Sequence, residues 1–188
     1  MPIAESPRSP APISLRLGFT GAVALVEAVH LATEHFAGGI ANHHLLNDPT
    51  LPQIWNGWGL VVLPLLAWIA SARAFERPAA HWRLHRAFVL RLAGALLAGI
   101  ALAIAFTSGS KDVAGALFPA IVLAGIALRA YRPEFVLGFA LGMAFTVGGV
   151  LPVLIGGCIA LVSAFVWLVA WPVLRHVVGI ARRTAPGR

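Results

Sequence analysis

Glu27, His30 and Glu34 carry the side chains in this sequence whose types and spacing best suit chemistry. Carboxylate and imidazole groups bind divalent metal ions, exchange protons and orient water. At about 100° per residue of an α-helix, the three positions fall within roughly 60° of one helix face. Thr20 and Arg16 extend this face toward the N-terminus. The sequence therefore predicts a polar stripe along the length of one helix.

The stripe lies in an apolar segment, 15–36, that is long enough to cross a bilayer. A charged residue at the centre of a membrane helix costs about 2.5–3.5 kcal/mol on insertion scales, so such residues mostly face protein or a water-filled cavity. We therefore expect the stripe to face other helices and to form the first candidate for a functional site.

A histidine-rich segment follows the stripe and contains the adjacent pair His43 and His44. Gly38 and Gly39 are expected to end the first helix, after which the chain can fold back over the helix end. An Asn-Asp-Pro turn is predicted next, and Pro52 is predicted to begin the return helix. This path would bring the histidine pair close to the stripe.

These residues predict a site for a divalent transition metal, with zinc as the candidate ion. Glu27 and His30 have the i, i+3 spacing by which one helix offers two ligands to one ion. His43 or His44 would complete the three protein ligands of a catalytic zinc, which keeps an open position for water. Glu34 would then act as the catalytic base or orient a ligating histidine.

Other interpretations of the same residues stay open. Glu27 and His30 can satisfy each other's hydrogen bonds and fix helix packing without any ligand, while His43 and His44 can be exposed loop residues. The sequence thus leaves three functional hypotheses. They are a metal-dependent hydrolase of a lipid or lipid-like substrate, a transporter or channel whose stripe moves protons or cations, and a membrane subunit without chemistry of its own.

The elements that must position the site are membrane helices. The chain has 188 residues, of which 59% are hydrophobic and 11% are charged, a composition far from that of a soluble domain. We predict an all-α, polytopic helical membrane bundle of about six transmembrane helices. The predicted spans are 15–36, 54–73, 87–107, 113–131, 135–151 and 153–174. The bundle would occupy 15–175, between a flexible cytoplasmic tail at 1–14 and a basic cytoplasmic tail at 176–188.

The basic residues predict the orientation of this bundle. Every arginine falls on one side of the six-span arrangement, and Lys111 alone lies opposite. Because basic residues are retained in the cytoplasm, both termini are expected inside and the histidine-rich segment outside, with the bacterial inner membrane as the location. The formal charge of +7 is thereby explained by topology and by contact with membrane lipids, without a nucleic-acid partner.

Glycines predict how the later helices pack. Gly138 and Gly142 form a small-residue ridge that lets another helix approach closely, and this ridge could serve a helix partner. A tight reversal inside the long apolar run 135–174 is predicted by Gly148, Gly149, Pro152, Gly156 and Gly157. The oligomeric state is left open by these patterns.

Overall fold

The computed structural model describes residues 13–40, 42–44, 50, 53–75 and 82–184, and these are mostly helical. The helices are α1 (Ile13–Phe36), α2 (Gly59–Phe75), α3 (Trp82–Thr107), α4 (Lys111–Ala127), α5 (Pro133–Val147), α6 (Val150–Phe165) and α7 (Trp171–Thr184). One wider π-helical segment, Val166–Ala170, joins α6 to α7 without a break. The described part of the chain therefore contains six helical rods, and each overlaps one predicted span.

Three of the rods are long and apolar enough to cross a membrane by length and composition: Ile13–Phe36, His85–Thr107 and Val150–Val178. Asn56–Ala72 and Pro133–Val147 are apolar but shorter. These helices support an integral membrane protein. Crossing by the remaining helices, and the side on which each terminus lies, remain predictions.

The closest helix pair is α3 with α5, and glycines make the approach possible. A Cβ atom on Gly138 would overlap the carbonyl oxygen of Leu92, and one on Gly142 would overlap the carbonyl oxygen of Leu96. The helix that occupies the predicted small-residue ridge is therefore α3 of the same chain. Gly138 and Gly142 are both buried in this contact.

A second seam joins α1 to α2 and α5. Val23 of α1 packs there with Leu63 and Ala67 of α2 and with Leu137 of α5 in one apolar core. This core covers the face of α1 that carries Val23, whereas Leu25, Val26 and Val29 on the other faces of the helix are exposed.

The predicted reversal between the last two spans is confirmed. Helix α5 ends at Val147 and α6 begins at Val150, so Gly148 and Gly149 make the whole connection. Gly148 has φ +75°, a conformation that favours glycine. A Cβ on Gly156 of α6 would contact Val136 of α5, as expected for two helices that run back along each other.

The predicted start of the second span at position 54 is wrong. Gln53–Trp55 forms a strand, β2, that pairs antiparallel with β1 (Asn42–His44), and a 3₁₀ turn at Asn56–Trp58 precedes α2. Ile54 and Trp55 are residue types favoured in strands, and pairing with β1 supplies the backbone hydrogen bonds that a helix start would leave open. Pro52 and the predicted Asn-Asp-Pro turn lie outside the described residues.

The expected tails are only partly described. Residues 1–12 lie outside the described residues, whereas 13 and 14 already belong to α1. At the other end α7 continues through Thr184, so most of the segment 176–188 is helical where it is described.

Candidate functional site

The predicted polar stripe faces the protein interior, as expected. Glu27 is 0% exposed and His30 is 3% exposed, while the Glu34 side chain is about one-fifth exposed. Helix α1 ends just beyond this group, where the Gly39 amide donates to the Glu34 carbonyl oxygen at 3.1 Å. Gly38 and Gly39 have positive φ angles, so the predicted helix end at the glycine pair is confirmed.

Glu27, His30 and Glu34 form a row in which the imidazole lies between two carboxylates. His30 Nδ1 is 3.5 Å from Glu27 Oε2, and His30 Nε2 is 3.4 Å from Glu34 Oε1. The Phe145 ring packs against the imidazole with 4.6 Å between ring centroids. We call these three side chains the carboxylate–imidazole row. Its two carboxylates face different nitrogens of one ring.

Asn56 connects the row to the neighbouring elements. Its Nδ2 donates to Glu34 Oε1 at 2.6 Å, and its Oδ1 accepts from the Gly149 amide at 3.2 Å. A Cβ on Gly148 would overlap the Asn56 side chain. The 3₁₀ turn before α2 is thereby tied to α1 and to the α5–α6 connection.

Asn56 is not among the residues that the sequence pattern marks as candidates for a functional role. The available signal was a polar residue between two tryptophans at the start of an apolar segment, a pattern equally typical of an exposed helix start at the membrane interface. In the structure Asn56 is 2% exposed.

Glu27 is the most enclosed member of the row. Within the described residues, neither of its carboxylate oxygens nor His30 Nδ1 has a hydrogen-bond partner. The 3.5 Å separation of Glu27 Oε2 and His30 Nδ1 is an ion-pair distance, longer than the usual hydrogen bond of about 2.7–3.2 Å. Burying a carboxylate charge costs several kcal/mol unless another group compensates it. A bound proton or cation would remove that cost.

Two glycines make room for the Glu27 carboxylate. A Cβ on Gly59, the first residue of α2, would overlap Glu27 Oε1, and a Cβ on Gly149 would lie 3.1 Å from the same oxygen. The carboxylate therefore lies against the backbones at the starts of α2 and α6. Partial positive charge at helix N-termini favours an anion there.

The stripe is not continuous along α1. Val23 lies on the same face between Glu27 and Thr20, which are about 10.5 Å apart along the helix axis, and it belongs to the apolar core. Beyond it, Arg16 places its guanidinium 3.9 Å from the Trp68 ring centroid and donates Nη2 to the Trp68 carbonyl oxygen at 3.2 Å. The row around His30 and the Arg16 end are separate polar groups.

Of the four predicted metal ligands, Glu27 and His30 lie beside each other. His43 and His44 lie in β1, and their side chains are outside what the structure describes. The β1–β2 ribbon places the β1 backbone beside the chain that leads directly into Asn56. Among the described residues, no group of three or more His, Cys, Asp or Glu side chains is arranged to hold a metal ion.

No protein-family model, curated protein or solved structure matches this chain. The class of protein is defined by its own helices, three of which are apolar and long enough to span a membrane. Within that class, the distinguishing feature is a buried row of ionisable side chains where α1 meets the starts of α2 and α6.

Proposed function

We propose that the protein is a proton-translocating membrane transporter in which the carboxylate–imidazole row carries protons to Glu27. One observation supports this above all. A fully buried carboxylate, which has no hydrogen-bond donor among the described residues, is joined through one imidazole to a carboxylate that is partly exposed. Ionisable residues inside membrane helices are typical of proton pathways.

The row suggests how protons would move. Glu34, at the exposed end, would accept a proton and transfer it to His30 Nε2, and His30 would release a proton from Nδ1 to Glu27 Oε2. The ring gains a proton at Nε2 and loses one from Nδ1, so its charge is restored, and it must return to the tautomer protonated at Nδ1 before the next passage. The two separations of 3.4 and 3.5 Å would have to shorten by a few tenths of an ångström to reach hydrogen-bond distance.

Translocation also needs a second state of the protein. In this structure Val23 separates Glu27 from Thr20, so the proposed path leads from the Glu34 side to Glu27 and no further. We expect α1 to shift against α2 during transport, so that Glu27 becomes accessible from the Thr20 side. Exchange between two such states is the general basis of coupled transport.

The test uses the full chain in sealed liposomes that contain a pH-sensitive dye. With a potassium gradient and valinomycin as the driving force, the parent should change the internal pH. Glu27→Gln preserves size, and we expect it to lower the flux by at least about tenfold, which corresponds to about 1.4 kcal/mol in the barrier. His30→Ala should have a similar effect.

Two matched controls separate transport from folding. Glu134→Gln removes another buried carboxylate, and His35→Ala removes the exposed histidine near the end of α1. Both should retain the parent's flux. Flux in Glu27→Gln equal to that of the parent would contradict the proposal.

A second candidate function is a metal-dependent hydrolase of a lipid or lipid-like substrate. Glu27 Oε2 and His30 Nδ1 lie 3.5 Å apart without hydrogen-bond partners among the described residues. Two ligands of a tetrahedral zinc ion lie about 3.3 Å apart when each is about 2.0–2.1 Å from the metal. His43 or His44 would supply the next ligand, and Glu34 would act as the base.

Elemental analysis distinguishes this candidate from the first. The protein should be purified without a histidine tag as the parent, as His30→Ala and as the double variant His43→Ala/His44→Ala. Stoichiometric metal in the parent that is lost in both variants would support the hydrolase. A parent that binds no zinc on addition would exclude its mechanism. Absence of both flux and metal would favour a subunit without chemistry of its own.

We also propose that all six rods cross a bacterial inner membrane, with both termini in the cytoplasm and β1 outside. The position of Lys111 opposite every arginine supports this orientation. In a Cys158→Ala background, a membrane-impermeant thiol reagent added outside should label Thr50→Cys and leave Ala79→Cys unlabelled. The opposite pattern would reverse the orientation.

A further inference from the structure

A cavity of about 510 Å³ lies between α3, α4, α5 and α6, in a different part of the bundle from the carboxylate–imidazole row. The lining includes small residues of α3 and α4, among them Gly94, Ala98 and Ala124, and the larger Phe139 of α5 and Ile159 of α6. A Cβ on Gly94 would meet no atom within 4 Å, so the space beside it is open. The volume falls within the range of roughly 300–1,000 Å³ that ligand pockets occupy.

The cavity opens on the outside of the bundle. Leu90 and Leu128 lie on its lining and are 60% and 64% exposed. In a membrane, an opening bordered by exposed leucines faces the acyl chains of lipids. The lining is apolar apart from Arg91, which suits a hydrocarbon chain rather than a polar solute.

One end of the cavity carries an excess of positive charge. Arg91 is part of the lining, and Arg129 and Arg132 flank Ala130, another lining residue. Glu134 pairs with Arg91 at 3.2 Å, and Arg129 and Arg132 add two further positive charges in the connection that leads into α5. Arg129 also lies 4.1 Å over the ring of Trp167, in the π-helical segment that follows α6.

We propose that this cavity binds one acyl chain of an anionic phospholipid, with the lipid phosphate at the Arg91 and Arg132 end. The apolar wall matches the chain and the excess positive charge matches the headgroup. Guanidinium groups pair with phosphate through two parallel hydrogen bonds, which makes arginine well suited to the task. The acyl chain of a zwitterionic lipid would occupy the same cavity, but its headgroup lacks the net negative charge that complements the arginines.

The proposal can be tested by counting retained lipids with native mass spectrometry. The full chain, delipidated in detergent, is incubated with phosphatidylglycerol or with phosphatidylcholine of the same chain length. We expect about tenfold tighter retention of phosphatidylglycerol. Gly94→Leu would fill the open space, and we expect this variant to retain neither lipid. Gly157→Leu, placed in open space on α6, should retain both lipids at the parent's level. Arg132→Gln should lose the preference between the two lipids.

A second measurement needs no variant. Phosphatidylglycerol with a photoreactive group at the end of one chain should label the wall formed by Gly94, Ala98 and Ala124. Equal retention of the two lipids by the parent, retention by Gly94→Leu at the parent's level, or labelling confined to other helices would each overturn the proposal.

Discussion

The two buried glutamates, Glu27 and Glu134, differ in how their charges are compensated. Glu134 is 5% exposed and its Oε1 lies 3.2 Å from Arg91 Nη1. Glu27 is 0% exposed, and no arginine or lysine side chain among the described residues forms an ion pair with it. The fold supplies a fixed cation for Glu134 and a titratable imidazole for Glu27. The first arrangement compensates the carboxylate with a permanent charge, and the second is the feature on which the proposed proton pathway rests.

The glycines near these two regions differ in the same way. Gly59 and Gly149 leave room for the Glu27 side chain, whereas Gly138 and Gly142 leave room for the backbone of α3. A side chain can rotate away from an added methyl group, but the backbone of a packed helix cannot. Substitutions should therefore alter function in the first region and stability in the second.

The largest effect on stability is expected for Gly142→Ala. The new methyl group would overlap the Leu96 carbonyl oxygen and contact Gly99 on α3, so the α3–α5 pair would have to separate. Overpacking of this kind costs about 1–3 kcal/mol. Thermal unfolding in detergent should show a clearly lower Tm. Gly157→Ala, which meets no atom within 4 Å, is the control and should leave Tm nearly unchanged; equal Tm values would show that the seam is looser than described.

Gly59→Ala sharpens the comparison at the other region. The added Cβ would take the place of Glu27 Oε1, so the carboxylate must turn away from the row. We expect proton flux to fall by about tenfold, as for Glu27→Gln, with a smaller loss of stability than Gly142→Ala. Gly21→Ala on α1 has open space and is the matched control. Parent-level flux in Gly59→Ala would mean that the position of Glu27 does not matter for transport.

The helical architecture was predictable because long apolar segments need to satisfy their own backbone hydrogen bonds in lipid. The helix end at Gly38 and Gly39 and the reversal at Gly148 and Gly149 were predictable for a related reason, since glycine adopts conformations that other residues avoid. The inward rotation of Glu27 and His30 followed from the cost of exposing ionisable groups to lipid.

Other features depended on contacts that one sequence does not reveal. The short ribbon needs β1 and β2 to find each other across a connection, and three-residue strands carry too little pattern to predict this. The role of Asn56 depends on Glu34 and Gly149, which are 22 and 93 positions away along the chain. The sequence also does not show which helix packs on the Gly138 ridge, because this depends on the tertiary arrangement that places α3 there.

Asn56→Ala tests the link between the row and the α5–α6 connection. The change removes the donor to Glu34 and leaves the buried Gly149 amide without its acceptor. Leaving a buried donor unsatisfied lowers the free energy of unfolding by about 1–3 kcal/mol. We expect a loss in the lower part of that range, because water can replace Asn56 at the partly exposed Glu34.

Asn56→Asp separates the two contacts made by Asn56. It keeps an acceptor for the Gly149 amide but replaces the donor to Glu34 with a like charge. We therefore expect a clear loss of proton flux with a smaller loss in the free energy of unfolding than in Asn56→Ala. Asn42→Ala, on the exposed β1 position opposite Trp55, is the control for the free energy of unfolding and for the proton flux. If Asn56→Asp carried protons as well as the parent, the orientation of Glu34 would be irrelevant to the row.

The smallest effect should come from Glu134→Gln, and it tests the comparison directly. The Arg91 side chain is 32% exposed, so solvent screens the pair, and glutamine keeps an oxygen that can accept from Arg91. We expect a loss of about 1 kcal/mol in the free energy of unfolding with proton flux retained. Glu27→Gln should lower the proton flux with little loss in the free energy of unfolding, because within the described part of the chain this carboxylate has no arginine or lysine partner to lose. Measured side by side, a Tm that falls further in Glu27→Gln than in Glu134→Gln would identify Glu27 as a structural group and remove the basis for a proton site at the row.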